Sequence, residues 1–392
     1  MKVLYYCPEF YFRHGGRTHA RGFFGALEAM PHVTAGLYPD KDKGEDRQKS
    51  VNTETSRDKL WFVPGKFRNV VRFFLPRPAI DKALIQEIRK HRYDMLVVRT
   101  GARIPTINNI RKACPGLAIC LEVNSAHFDE DYHGLPLRRL FQRWEIRRFR
   151  GADAITVVSS YLLNYLVERG VQRHKLIVNQ NGVNPVIADP ANGVEVRKNF
   201  GIPDEAFVIG YIGGMEPFRR LPEVVAQLAS MRREGHQELY LLMVGDGEDM
   251  PAVQEMIGSH SDALEGSVVL AGWQDHSMIP SFLAAFDMAI FPFTNDYCSP
   301  LKLFEYLGAG IPTIGPDTSA VREVFKDGEH LVLVNQDGTD FARKLLELKA
   351  DAKRRIRLAR AGQSLVLNEY TWEKNAARVM EHTRDLAGMD QL

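Results

Sequence analysis

Short, nearly unbroken apolar runs recur along this chain, and segments of helical length separate them. The first part holds "KVLYYC", "HVTAGL", "KLWFV", "DMLVV", "LAICLEV" and "DAITVV". The second holds "FVIGYIGG", "LYLLMVG", "SVVLAGW", "MAIFPF", "PTIG" and "LVLV". Apolar runs of strand length without polar alternation read as strands buried on both faces. Strands of that kind run parallel, and parallel neighbours need crossover connections, usually helices. Segments 17–30, 79–91, 134–150, 221–234, 250–257 and 277–286 supply them. The pattern predicts an α/β chain built from doubly wound, Rossmann-like parallel sheets.

The alternation lapses once. "PVIADPANGVEVRKNFGIPDE" is rich in Pro, Asn and Gly, so residues 186–205 are expected to form a linker. Domains of 1–185 and 206–370 follow, and a last helix over 371–392, capped by Thr371, is expected to pack back on the first domain. A length of 392 residues suits two domains. The polar, aperiodic segment 39–58 is expected to be a loop. No apolar run reaches the length of a membrane span. "MKVLYYCPEF" lacks the apolar length and small-residue cleavage site of a secretory leader. Cys7, Cys114, Cys120 and Cys298 show no CxxC spacing and read as reduced thiols, so a cytoplasmic location is expected. Charge is uneven. Residues 1–190 hold 31 Lys and Arg against 19 Asp and Glu, a balance of +12, whereas residues 191–392 hold 20 against 30, a balance of −10. A basic first half suits an anionic partner.

Ligands of doubly wound sheets sit beyond the carboxyl ends of the strands. With two such halves facing one another, the cleft between them is the expected site. "SPLKLFEYLG" reads as a helix with Ser299 as N-cap and Pro300 in its first turn. At about 100° per residue, Leu303, Phe304, Tyr306 and Leu307 share a core arc, while Leu301, Lys302 and Glu305 share the other. A lysine beside the positive end of the helix dipole is mildly unfavourable unless an anion lies between them. The competing reading is a solvated face carrying a Lys–Glu pair. "GYIGGMEPFRRL" repeats the anomaly: Gly213 and Gly214 allow close backbone approach, and Arg219 and Arg220 stand before a second helix. Two such helix starts suit a shared diphosphate. Gly245 and Gly247 fit either a tight turn or close approach of a ligand, and Trp273 follows a strand where its ring could meet a base. In the first half, Gly15 and Gly16 precede a helix with Arg13, His14 and Arg17 beside them, Arg99 follows a strand, and Glu122, Asn124, His127 and Asp129 follow another. No HExxH, metal-spaced Cys/His cluster or G-x-S-x-G occurs, so no metal or other cofactor is expected.

These motifs resemble glycosyltransferase family 4. "SPLKLFEYLGAGIPTIGPDTSAVREVFKDGEHLVLV" is similar to the family's donor-site signature, and "IGYIGGMEPFRRL" to its strand–glycine–basic–helix element. "LYLLMVGDGED", "VVLAGWQDHSMIPSFLAAFDMAIFPF" and "TVVSSYLLNYLVERGVQRHKLIVNQNGVN" match in order and spacing, and "EFYFRHGGRTHARGF" is similar to the N-terminal glycine loop. The resemblance implies the GT-B fold and metal-independent, retaining transfer of a sugar from a nucleotide donor to a glycan or lipid-linked acceptor, in surface polysaccharide or glycolipid synthesis.

Carried over by position, Glu305 binds the donor ribose, Ser299, Pro300 and Leu301 present backbone N–H groups, and Arg219 with Lys302 meets the diphosphate. Gly214 stands where many members carry a second cation, with Arg220 or Lys302 as its replacement, and Gly245, Gly247 and Trp273 complete the donor site. Tyr297 stands where many members carry a second glutamate. Asn124 or His127 corresponds to the histidine near the reacting carbon, and Gly15, Gly16, Arg17 and Arg99 fall to the acceptor. Other functions compatible with the donor half are a non-catalytic sugar-nucleotide-binding subunit and a nucleotide-sugar epimerase. "KFRNVVRFFLPR" (66–77) has an apolar body and cationic rim suited to the anionic inner face of a membrane. No nucleic-acid module is recognisable.

Overall fold

The computed structural model describes residues 1–8, 10–11, 15–39, 78–100, 104–125, 143 and 146–389. It divides into one unit of Met1–Gln180 with Asn375–Leu392 and a second of Asn181–Lys374. The expected strand "KLWFV", His127, Asp129 and segment 66–77 lie outside the described residues, as does most of the expected helix 134–150.

The first unit is built on a six-stranded parallel sheet: β1 (Lys2–Tyr6), β2 (Thr34–Tyr38), β3 (Met95–Arg99), β4 (Ala118–Val123), β5 (Ala154–Val157) and β6 (Leu176–Val178). Its order is β2-β1-β3-β4-β5-β6, so the chain winds one way from β1 and the other way from β3. Every residue of β3, β4 and β5 is buried, which is why these strands read as continuous apolar runs. The helix Trp372–Ala387 packs on this unit from Asn375 onward. Asn375 donates to the Gln180 carbonyl at 2.6 Å, and Arg378 Nε donates to Asn179 Oδ1 at 2.9 Å.

The second unit repeats the plan with β7 (Phe207–Ile212), β8 (Leu239–Val244), β9 (Val268–Gly272), β10 (Met288–Ile290), β11 (Thr313–Pro316) and β12 (Val332–Val334), in the order β12-β11-β10-β7-β8-β9. The winding reverses between β7 and β10, which pair in parallel. Loops leaving these two strands therefore emerge side by side at one edge, the topological switch point where open α/β sheets bind ligands.

The linker expectation is corrected. Within 186–205 the structure has a helix, Pro190–Asn199, which belongs to the second unit. Asp189 caps it by accepting from Ala191 N–H at 2.9 Å, and Pro190 occupies its first turn. Gly193 suggested a loop, but a side chain there would run into the backbone of Ala284 and Ala285. The glycine is needed for helix-to-helix approach, a requirement set by a segment about 90 residues further along the chain.

Candidate functional site

At the second unit's switch point, the loop after β7 carries Gly213 to Arg220 and the loop after β10 leads to the helix Leu301–Gly308. Tyr306 and Arg219 join them. β10 pairs with β7 only as far as Gly210, so the backbone of Ile212 runs past its neighbour. The Tyr306 hydroxyl takes the place of the missing strand. It accepts from Ile212 N–H at 2.7 Å and donates to the Ile212 carbonyl at 3.0 Å. Burial drives its phenol pKa well above the usual value. Tyr211 adds a second tie by donating to the Gly214 carbonyl at 2.6 Å.

Arg219 is held from several sides. Its guanidinium lies 4.3 Å from the Phe291 ring centre and 4.5 Å from that of Phe218. Nη1 donates to Thr294 Oγ1 at 2.7 Å and to the Phe293 carbonyl at 3.3 Å, and Nε lies 3.7 Å from Glu216. Thr294 is fixed in turn, because its N–H donates to Gln336 Oε1 at 3.3 Å. Arg220 points elsewhere. It takes the left-handed conformation at the N-cap of the helix Leu221–Arg233, with φ 51°. It forks onto Glu223, donates to the Gln336 carbonyl and stacks 4.3 Å over Phe293. These contacts give Arg220 a role in joining the ends of its own loop and the one after β12, which sequence spacing did not separate from that of Arg219.

Residue Pro300, not Ser299, is the N-cap of the Leu301–Gly308 helix, and no side chain caps it among the described residues. Ser299 is buried and its carbonyl accepts from Asn181 Nδ2 at 2.6 Å, which fixes the turn ahead of Leu301. The core arc holds: Leu303, Phe304, Tyr306 and Leu307 are fully buried. The opposite arc is not a solvated face, because Glu305 is only 7% exposed. Lys302 Nζ donates to Glu305 Oε2 at 2.6 Å. The arrangement is thus a largely buried cation–carboxylate pair at an uncapped helix start.

Gly245 and Gly247 have a packing reason to be glycine. Gly245 has φ +136° and a side chain there would strike the Gly213 carbonyl; at Gly247 it would come within 2.5 Å of the Met215 carbonyl. Met215 N–H donates to the Asp246 carbonyl at 3.1 Å, so the loops after β7 and β8 are stitched together. Trp273 follows β9 and is 46% exposed, which excludes a purely core role for its ring. Tyr297 accepts from Asn295 Nδ2 at 3.0 Å.

In the first unit, four polar residues converge at the sheet's switch point. Glu122 in β4 accepts from Tyr5 of β1 at 3.0 Å, meets His19 Nε2 at 2.5 Å and lies 3.4 Å from Arg99 Nη1 at the end of β3. All four are buried. Burial alone would raise the Glu122 carboxyl, but His19, Arg99 and the Tyr5 hydroxyl together pull it down, to about 2. Sequence reasoning placed Glu122 on a loop and named neither Tyr5 nor His19. The available signal was a carboxylate inside the otherwise apolar run "LAICLEV". Gly15 and Gly16, expected ahead of a helix, are its first two residues, with Arg17 in the same turn of Gly15–Ala29. Asn124 lies just past β4, and its buried Nδ2 has no acceptor among the described residues.

A sequence-family model described as "Glycosyltransferase Family 4" matches residues 14–186, and one described as "Glycosyl transferases group 1" matches residues 206–351. The chain belongs to the family 4 glycosyltransferases. This glycosyltransferase chain is 28% identical over 210 residues to the D-inositol 3-phosphate glycosyltransferase of Stackebrandtia nassauensis, a match covering 52% of the chain and 47% of the relative. It is 26% identical to the lipopolysaccharide core biosynthesis glycosyltransferase LpsE of Rhizobium meliloti, covering 57% of the chain and 62% of the relative. The chain thus spans between about half and two thirds of the length of these relatives. A GDP-mannose-dependent phosphatidylinositol monomannoside mannosyltransferase of Mycobacterium tuberculosis is 23% identical over 98% of both chains. Among solved structures, Anabaena HepE in complex with UDP and glucose is similar with TM-score 0.72 at 14% identity, covering 98% of this chain and 100% of that one. Sucrose-phosphate synthase of Thermosynechococcus elongatus reaches TM-score 0.75 at 17% identity over the whole of both chains. These likenesses show the GT-B fold.

Two outcomes follow for this glycosyltransferase. Tyr306→Phe leaves the Ile212 N–H and carbonyl without partners, so it should cost about 1–3 kcal/mol, read as a lower urea midpoint; an unchanged midpoint would show the tie to be dispensable. The second concerns acid. The folded Glu122 pKa lies below its ordinary 4.5, so its contribution to stability is full above that pH and is lost as pH falls toward about 2. Glu122→Gln should lose stability at pH 7, by about 3–5 kcal/mol, and should lose less than the wild type between pH 4.5 and 2. Denaturant midpoints across pH measure both, and parallel curves would contradict the assignment.

Proposed function

We propose that the chain moves a glycosyl group from a nucleoside-diphosphate sugar to a hydroxyl of a glycan or lipid-linked acceptor, with retention at the anomeric carbon. The observation that carries this reading is the Arg219 guanidinium, clamped between two rings and fixed to Thr294, in the loop after β7, the strand next to the one that leads to the Lys302–Glu305 helix start. The costly event in such a transfer is departure of the nucleoside diphosphate. Charge grows on the leaving phosphate, and pre-positioned cations and backbone N–H groups stabilise it without reorganising. Arg219 and Lys302 supply the cations, and the turn Ser299-Pro300-Leu301 supplies the N–H groups. Glu305 accepts from the donor's ribose hydroxyls, and Gly213 and Gly214 let the phosphates approach the backbone. The UDP bound to HepE and the GDP-mannose dependence of the mycobacterial relative support a nucleotide donor.

Retention with these residues suits a front-face path, in which the leaving phosphate accepts the acceptor's proton and no strong base is required. Asn124, whose buried Nδ2 has no acceptor among the described residues, is placed next to the reacting sugar in this reading, with Arg17 and Arg99 on the acceptor side. Cations in the metal's role make the reaction metal-independent. Among the described residues no three His, Cys, Asp or Glu side chains converge as a metal site. Arg219→Ala and Lys302→Ala should each lower kcat/KM on the order of 10²-fold, about 2.7 kcal/mol, while excess EDTA leaves the wild-type rate unchanged. Near-normal turnover in both variants, or a rate restored only by magnesium or manganese, would reject this mechanism.

The relatives named for phosphatidylinositol and lipopolysaccharide chemistry support an acceptor at a membrane surface. No helix among the described residues is long and apolar enough to cross a membrane. We place the protein in the cytoplasm, with residues 66–77 against anionic head groups of the inner leaflet. Sedimentation with liposomes tests this. Binding should rise with anionic lipid and fall with salt, and equal recovery in the supernatant with neutral and anionic vesicles would favour a soluble acceptor.

A further inference from the structure

Glu216 has no part in the reading above, yet its carboxylate stands inside the site. A side chain on Gly214 would collide with Glu216 Oε1, so the carboxylate covers the open side of that glycine. Its other oxygen lies 3.7 Å from Arg219 Nε. The groups it meets electrostatically are Arg219 and the phenol of Tyr211, which it pushes in the same direction as burial does. The side chain is 47% exposed, so no packing demand holds it there. A negative charge thus sits between the cation and the glycine that are assigned to the donor's phosphates.

That position distinguishes two ligands by charge. In a nucleoside-diphosphate sugar both phosphates are esterified, and each carries one negative charge. In the free nucleoside diphosphate the terminal phosphate has a second ionisation near pH 6, so the product carries nearly one more negative charge at neutral pH. A fixed carboxylate repels the product more than the substrate, and half exposure weakens this repulsion without removing it.

We propose that Glu216 is a specificity-determining residue that biases the site toward the esterified diphosphate and against the free nucleoside diphosphate, so that product leaves. The inference rests on the reading that Arg219 meets the donor diphosphate. Product inhibition is then weak because the site is built to hold one charge fewer than the product carries.

Calorimetric titration of wild type and Glu216→Gln with UDP against UDP-glucose, and GDP against GDP-mannose, at pH 7.5 and low salt tests it. The variant should bind the free diphosphate of the preferred pair about tenfold more tightly, and the sugar ester less than about twofold more tightly. The change in their ratio should shrink at pH 5.5, where the terminal phosphate has lost most of its extra charge, and at 0.5 M salt. A merely structural role for Glu216 would move both ligands together at every pH. An unchanged ratio, or weaker binding of both, overturns the proposal, and Glu216→Ala repeats the test without a side-chain amide. Arg219→Ala separates the two levels. Loss of nucleotide affinity there, with an unchanged ratio in Glu216→Gln, removes this inference alone; full affinity in Arg219→Ala, or no binding of either pair to the wild type, removes the donor reading and this inference with it.

Discussion

The second unit's site depends on one hydroxyl standing in for a strand. β7 runs two residues past the last one paired with β10, and a parallel sheet leaves the backbone of such an overhang unpaired on that side. Tyr306 supplies a donor and an acceptor at once, which a phenol can do and an aliphatic side chain cannot. The bond pair does more than satisfy Ile212. It fixes the end of β7, just before Gly213, to the helix that carries Lys302 and Glu305. Arg219 adds a second tie between the two loops through Thr294 and the Phe293 carbonyl. The geometry of a cation on one loop and a helix start on the other therefore follows from packing in the core.

Both units place charge at the switch point of a parallel sheet, fully buried in the first and partly buried in the second, but they balance it differently. In the first, Glu122 is surrounded by Tyr5, His19 and Arg99, and its ionised form is favoured strongly enough to overcome burial. This cluster ties β1, β3, β4 and the first helix together where their loops depart. In the second, Arg219 lies against two aromatic faces and neutral oxygens, with the half-exposed Glu216 as its charged neighbour. Rings and hydroxyls hold a guanidinium in place without neutralising it.

Much of this was legible in the residues. Strands buried on both faces cannot alternate polar and apolar positions, so "DMLVV" and "LYLLMV" announced a parallel sheet before any pairing was known. The cations ahead of two helices were legible because dipole and charge are local properties. Glycines were harder to read. Gly193 looks like a loop residue and lies inside a helix, while Gly245 and Gly247 fit a tight turn or a ligand equally well and make room for another loop.

The sequence by itself determined the α/β class, the two-fold repetition of the plan, the buried arc of Tyr306 and the cationic helix starts, because each rests on interactions within a few residues. Tertiary structure alone decided which cation faces the site. Arg219 and Arg220 are adjacent and chemically identical, and only Phe291, Thr294, Glu223 and Gln336 send them in different directions. It also decided the partners of Glu122, which lie 117 and 103 positions away in Tyr5 and His19. Such contacts depend on strand order and crossover, and no local spacing encodes which distant side chain a fold will bring within 3 Å of a buried carboxylate.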